Sequence, residues 1–401
     1  MKILHIVGGS KKGGAFKGAY ILHKTLQTLN IDSQIINDEI IKGEILKNNI
    51  DTSICTINNT FVKQILSKLF IFIEKLMKTI VLPSKRSTFT FGLIGFDLSK
   101  LKEIKKADII HIHWLKDGFI NFKTISKIKK PVVWTMRDMW PFTGGSHYTI
   151  DFENYENGKF SQRIKNLKKK YFEKINFVAI SAWLKGKAEN SYVLNNYKIL
   201  QINNNIDLKN FNEIDQDKAK SILKINTNKK IILFGANNPQ SIRKGWKIFL
   251  ETLKKLNKEK YFLLIFGNFW SSTEIEKIGI EFKSLGFLED KTILNAAYSS
   301  SDFFVATSLQ EAFGKTWVES VACNRPVICF KNTGISENIK HKINGFIVDN
   351  ISSSDLKNAI DWVSNNFNYS NKNKMRETIQ IFDSKNIAKE YLRLYKKILD
   401  K

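Results

Sequence analysis

The sequence predicts an α/β protein built as two doubly wound domains, and three observations carry that prediction. Short apolar strands alternate with helical stretches; the alternation restarts from a new strand past the middle of the chain; and 401 residues exceed what one ordinary core accommodates. A composition 43% hydrophobic and 25% charged is that of a folded chain and excludes long disorder.

The first series opens with KILHIV, continues through a helix from about Ala15 to Leu29, and then gives DIIHIHW, PVVWTM and NFVAIS. Strands joined through helices run parallel, with helices on both sheet faces. Residues 60 to 82, TFVKQILSKLFIFIEKLMKTIVL, are broken by Lys63, Lys68, Glu74, Lys75 and Lys78 and read as one or two amphipathic helices. Packing on the N-terminal domain is preferred for them over lying in a membrane interface. The second series starts near Lys229 with KIILFG and continues with YFLLIFG, a short piece from Lys283 to Phe287, DFFVATS and PVICF. The two series meet at about residues 200 to 210. The closing KNIAKEYLRLYKKILDK forms a helix with Ile387, Tyr391, Leu394, Tyr395 and Ile398 on one face, which must cover something apolar.

The formal charge of +26 comes from lysine spread along the whole chain. It favours anionic partners: phosphorylated substrates or acidic lipid headgroups. Zinc-finger spacing, an RNP-like aromatic motif and a basic zipper are all missing, so nucleic acid ranks below both. Cys55, Cys323 and Cys329 have no paired spacing and suit a reducing compartment. MKILHIVGGS reads as a buried first strand rather than a signal peptide, and no stretch reaches the roughly twenty apolar residues of a membrane span.

Parallel α/β sheets hold ligands beyond the carboxyl ends of their strands. After the first strand, Gly8-Gly9-Ser10 and Gly13-Gly14 precede a helix, a place where backbone can approach a phosphate. The full dinucleotide fingerprint is missing, and no acidic residue is evident at the end of a clear second strand. In the second series, Arg243-Lys244-Gly245 sit between a strand and a helix, two cations able to hold a diphosphate. The most informative stretch is SLQEAFGKTWVES, residues 308–320. DFFVATS ends at Thr307-Ser308, Glu311 lies in the following loop, and Gly314-Lys315-Thr316 begin a helix whose first amides are unpaired and suited to a diphosphate. Glu319 lies about one turn inside, where a carboxylate can accept from the hydroxyls of a ribose.

The run E-A-F-G-K-T-W-V-E, followed by Pro326-Val327-Ile328, resembles the E-x7-E signature of retaining glycosyltransferases of family 4. The glycine-rich first loop, DIIHIHW, WTMRDMWPFTGGSHY, Ser181 in VAISAWL, NNNIDLKNF, RKG, LGFLED and NGFIVD agree in order, so the likeness covers nearly the whole chain. The WTMRDMWPFTGGSHY segment is similar to a branch building bacterial exopolysaccharide, colanic-acid-like or O-antigen sugars.

The resemblance implies the GT-B fold: two Rossmann-like domains facing across a cleft, with the C-terminal helix crossing back to the N-terminal domain. It implies an acceptor-side domain of residues 1–205 completed by 383–401, and a donor-side domain of 206–382. Glu319 would hold the ribose, Gly314, Lys315, Thr316 and Lys244 with Arg243 the diphosphate, and Glu311 the donor sugar. The backbone around Phe287 and Leu288 would meet the base. Gly13, Gly14, His113, Asp138 and His147 would face the acceptor and the reacting centre.

Several positions depart from the family. Arg137 stands where a histidine is usual; it can stabilise a leaving diphosphate but cannot act as a base. Asn238 replaces a common arginine, a loss Arg243 can offset. The branch often has cysteines after the T-G-G segment, whereas this chain has Ser146 and none directly following, so no metal is expected there. Asn324 replaces a common glycine, which a left-handed backbone tolerates.

The expected reaction is metal-independent hexosyl transfer, with retention, from a UDP- or GDP-sugar to a glycan or lipid-linked glycan, without a cofactor. The expected location is cytoplasmic, with the acidic inner face of the cytoplasmic membrane as the alternative. A glycosidase acid pair is a poor account of the two glutamates, because it has no use for the phosphate cradle between them. The remaining alternatives are a nucleotide-sugar epimerase on the same fold and a non-catalytic nucleotide-sugar-binding assembly protein.

Overall fold

A computed structural model describes residues 1–38, 51–57, 59–82, 88–268, 271–369 and 372–400, apart from the side chain of Lys372. The chain divides into two compact units, one of Met1–Asn205 with Ser384–Lys401 and one of Ile206–Asp383.

In the first unit, β1 (Lys2–Val7), β2 (Asp32–Asn37), β3 (Ile54–Thr56), β4 (Ile109–Trp114), β5 (Val132–Met136), β6 (Ile175–Ala179) and β7 (Leu200–Gln201) form one sheet. Its order is β3-β2-β1-β4-β5-β6-β7, and every pairing is parallel. Central strands are buried on both faces, which is why KILHIV and DIIHIH read as near-continuous apolar runs. One layer carries helix α1 (Gly14–Thr28) and the helix Ser384–Leu399. Ile387, Ala388, Tyr391, Leu394 and Tyr395 of the latter share a core with Ile3, Leu22, Leu26, Ile109, Val133 and Val178. The C-terminal helix thus completes the first unit, and its apolar stripe is answered there.

Residues Phe61–Val81 form one helix, α2, started by the Thr60 side chain accepting from the Lys63 amide. Its inner face buries Glu74, whose carboxylate takes the amides of Phe91, Gly92 (3.0 Å) and Gly118 (2.9 Å). Lys78 on the same side pairs with Asp117. Packing on the first unit is therefore what the inner face does, while the opposite face stays exposed.

In the second unit, β8 (Lys230–Gly235), β9 (Tyr261–Phe266), β10 (Phe282–Ser284), β11 (Phe303–Ala306), β12 (Val327–Phe330) and β13 (Gly345–Val348) form a parallel sheet of order β10-β9-β8-β11-β12-β13. Renumbered from its own first strand, this is the 3-2-1-4-5-6 order of a doubly wound sheet, and the first unit repeats it with β7 added at the edge. In each sheet the connection reverses direction between the first and fourth strands. That reversal opens a crevice at the strands' carboxyl ends, the place where such sheets bind ligands.

Candidate active site

In the second unit the crevice lies between β8 and β11, and the loops leaving those two strands are stitched together there. Leu309 N–H donates to the Arg243 carbonyl at 2.8 Å, and the Thr307 hydroxyl donates to the Lys244 carbonyl at 2.6 Å. Such close approach requires Gly245: it adopts φ 69°, and a Cβ there would lie 2.1 Å from the Thr307 carbonyl oxygen. The short turn Ile242–Lys244 ends on that glycine and presents Arg243 and Lys244 side by side.

Both cations converge on Glu311. Lys244 Nζ lies 2.6 Å and Arg243 NH1 2.9 Å from the same carboxylate oxygen, and Arg243 NH1 also reaches the Gln310 carbonyl at 2.9 Å. Burial alone would raise the Glu311 carboxyl; the Lys244 and Arg243 charges outweigh it and hold it at about 2. Burial likewise lowers the Lys244 ammonium, against the pull of Glu311. Two cations and one anion leave a net charge of +1 at the mouth of the crevice. Next to them the helix Lys315–Ala322 begins after Gly314, which at φ 70° turns the chain so that the first amides follow directly on the charged trio. A helix N-terminus beside a net cation is an anion site by its electrostatics.

One turn into that helix, Glu319 is partly exposed and accepts from the Tyr298 hydroxyl at 2.8 Å. Burial and the nearby Glu319 charge push the Tyr298 phenol well up, so it stays a donor. Sequence reasoning misses Tyr298: it sits in the preceding helix Lys291–Ser300, and only folding brings it to Glu319. Phe287 is exposed and Leu288 half-buried, in the loop following β10 after Gly286 at φ 66°. Asn324 adopts φ 56°, the left-handed conformation expected of the residue replacing a glycine. Arg243, Lys244, Glu311, Gly314, Lys315, Thr316 and Glu319 are thus gathered on two adjoining strand ends.

In the first unit the loop after β1 differs in detail from the sequence reading. An acidic residue does follow the second strand: Asp38 accepts from the Gly9 amide at 2.6 Å and pairs with Lys116 at 3.1 Å. The strand DSQIIN gives little sign of itself in the sequence, because it starts polar and offers only two isoleucines as an apolar signal. Asn37 Nδ2 clamps the same loop through the Val7 carbonyl at 2.7 Å. Gly9, at φ 87°, packs on the Trp114 ring, whereas Gly14 opens α1 with no neighbouring atom within 4 Å of where a Cβ would stand. Gly13 is the extended residue that caps α1.

At the ends of β4 and β5 the predicted polar residues fall into two networks. Asp138 is oriented by the Trp140 amide at 3.0 Å and the Trp114 indole at 2.7 Å, and its Oδ2 lies 2.6 Å from His147 Nδ1. His147 Nε2 contacts the Thr90 hydroxyl at 3.2 Å, which in turn donates to Asp117 at 3.0 Å. The TGGSHY loop carrying His147 is held from beneath by Glu156, which accepts from the Gly144 amide at 2.9 Å and the Ser161 hydroxyl at 3.0 Å.

Arg137 and His113 belong to the second network. Arg137 donates to Asn204 Oδ1 and, at 3.2 Å, to His113 Nδ1; Gly18 makes room, since a Cβ there would lie 2.6 Å from the guanidinium. Burial, then neighbouring His111 and the Arg137 charge, lowers His113 well below the usual range, so the ring is neutral. A neutral His113 accepting at Nδ1 donates from Nε2 to His5 Nδ1, 2.9 Å away, which assigns both tautomers and leaves His5 Nε2 buried without a partner. His111 bridges Tyr395 (2.6 Å) and Thr135 (2.7 Å). His5, His111 and His113 are close enough to suggest a metal. Instead, His5 and His113 bond each other beside the Arg137 guanidinium and both His111 nitrogens are taken by hydroxyls, surroundings that do not fit a cation. Arg137 enters this site as the clamp between His113 and Asn204.

Comparison with known proteins agrees with this geometry. Residues 215–380, nearly all of the second unit, match the family described as glycosyl transferases group 1. An uncharacterized glycosyltransferase of Methanocaldococcus jannaschii is 24% identical over 320 residues, 76% of this chain and 77% of that protein. Among solved structures, a glycosyltransferase from Rickettsia africae superposes with a TM-score of 0.67 at 21% identity, covering 99% of this chain and 98% of that one. Anabaena HepE, solved in complex with UDP and glucose, gives 0.67 at 17% identity over 99% of each chain. Sucrose-phosphate synthase from Thermosynechococcus elongatus gives 0.73 at 14% identity over the whole of both. The fold is therefore GT-B, and the matched segment together with that fold supports a glycosyltransferase.

Proposed function

We propose that the protein transfers a hexose, with retention, from a UDP- or GDP-sugar to a saccharide or lipid-linked saccharide presented at an acidic membrane face, in the assembly of a bacterial surface polysaccharide. The observation that carries this reading is the charged trio Lys244–Glu311–Arg243 standing at the start of the helix that bears Glu319. A nucleoside diphosphate fits it end to end. Its ribose hydroxyls reach Glu319, whose second partner Tyr298 fixes the carboxylate. Its diphosphate meets Lys244, Arg243 and the amides of Lys315 and Thr316. The base lies along the backbone at Phe287 and Leu288.

At the reactive end the bond from the anomeric carbon to the diphosphate oxygen breaks, and the acceptor oxygen forms its bond on the same face. Its proton passes to the departing phosphate. Charge growing on that phosphate is met by Arg243, Lys244 and the helix start, groups already fixed in place by Thr307, Gln310 and Glu311. These cations take the part a divalent metal would otherwise play, so transfer proceeds without one. Glu311 keeps the cations ordered before the donor arrives and positions the sugar afterwards. On the acceptor side, Asp138 and His147 orient the incoming hydroxyl, Gly13 and Gly14 line the approach, and Arg137 with His113 sets the shape of the β5 end.

Incubation with a panel of UDP- and GDP-sugars, followed by mass spectrometry, tests this. Slow release of free sugar and nucleoside diphosphate from one donor, in the presence of a chelator, is expected. Donor isomerisation without an acceptor, an absolute need for divalent metal, or an inverted product anomer overturns the mechanism.

A further inference from the structure

The inner face of α2 is occupied by Glu74 and Lys78, yet its outer face carries the largest concentration of exposed apolar side chains among the described residues. Phe61 (76% exposed), Ile65, Leu69, Phe72 (63%), Leu76 and Ile80 (78%) all project outward. At 3.6 residues per turn these six fall within an arc of about 100°. Lys68 and Lys75, both exposed, border that arc along one edge. Soluble surfaces scatter such residues singly, so a continuous stripe over a 21-residue helix marks a contact.

We propose that the outer face of α2 is the surface by which the protein lies on an anionic lipid bilayer, apolar side chains in the acyl boundary and lysines at the headgroups. The helix cannot cross the membrane: no helix among the described residues is long and apolar enough. It also cannot swing away to insert end-on without tearing Glu74 from three backbone amides. An in-plane seat is the geometry left, and it suits a helix with one apolar face and flanking lysines. Charge chooses lipid over a second copy of the chain, because pairing two such faces would bring together two molecules of charge +26. The docking stands on the helix alone and does not rest on the transferase reading.

Co-sedimentation of the full chain, without sugar nucleotide, with phosphatidylcholine vesicles containing or lacking phosphatidylglycerol tests the assignment. Binding to the anionic vesicles, weakened by salt, is expected. The Leu69→Glu, Leu76→Glu double variant is expected to lose about tenfold or more in affinity. The Lys68→Glu, Lys75→Glu variant should lose about fivefold for each lysine removed. Both should keep wild-type thermal transitions, since the altered side chains are exposed, and both should hydrolyse donor in solution at the wild-type rate. Equal binding by all variants, no preference for anionic vesicles, or a dimer dissolved by the leucine substitutions overturns it, the last by assigning the face to self-association.

Discussion

Glu311 and Lys244, sixty-seven positions apart in sequence, share a 2.6 Å ion pair that ties the end of β8 to the end of β11. Arg243 completes it from the neighbouring position. The crevice therefore carries its own counter-ion before any ligand arrives. In the proposed reading a diphosphate would join cations already held in place and largely desolvated, with the carboxylate setting how far they can move.

Replacing Lys244 by alanine should separate two effects. Glu311 would keep one cation, and folding stability in urea should fall by about 1–3 kcal/mol. Binding of a nucleoside diphosphate, followed by calorimetry, should weaken by roughly 10- to 100-fold with the loss of one charge-assisted bond.

The two glutamates should part company in kinetics. Glu319→Ala and, more mildly, Tyr298→Phe should raise the donor KM with little change in kcat. Glu311→Ala should chiefly lower kcat. Equal loss of donor binding in both, with kcat intact, would merge their roles.

Gly245→Ala should be a costly change despite its small size. The left-handed backbone and the 2.1 Å approach to the Thr307 carbonyl leave no room for a methyl group. A stability loss of about 2–4 kcal/mol is expected, with weakened donor binding because Lys244 would shift with the loop.

Acid should weaken the fold in two windows. Glu311 is held at about 2 against an ordinary value of about 4.3, so its stabilisation is complete above that value and is lost as pH falls from about 5 towards 2. His23, lowered to about 4 chiefly by burial, and His5, His111 and His113, lowered well below the usual range by the same cause, are neutral in the folded chain. The unfolded chain binds those protons below about 6.5, so this loss starts earlier, as pH falls through 6.5. Urea titrations across pH should show both limbs; Glu311→Gln should flatten only the lower one.

Much of this was legible in the sequence because parallel strands buried on both faces announce themselves as apolar runs. KILHIV, KIILFG and YFLLIFG need no context. The helix start at Gly314 and the cations at 243 and 244 were visible because glycine and adjacent charges at a strand end are local signals. What stayed hidden was pairing across the fold. Tyr298 reads as one more residue of a helix, Asp38 follows a strand whose first half is polar, and the bonds that hold Arg137 to Asn204 and His113 join residues distant in sequence. The 60–82 segment shows its amphipathicity but not which face packs inward, since the inward face carries the charged Glu74 and Lys78.

The helix Ser384–Leu399 packs on α1 and joins Tyr395 to His111, 284 positions earlier, after the whole second unit has intervened. During synthesis, residues 1–205 leave the ribosome with the layer around Leu22, Leu26 and Val133 still uncovered. The second unit, continuous in sequence, can finish folding first. The first unit is then closed by a segment translated well after its own strands, so shielding of its half-built surface in the interval becomes a requirement of its biosynthesis.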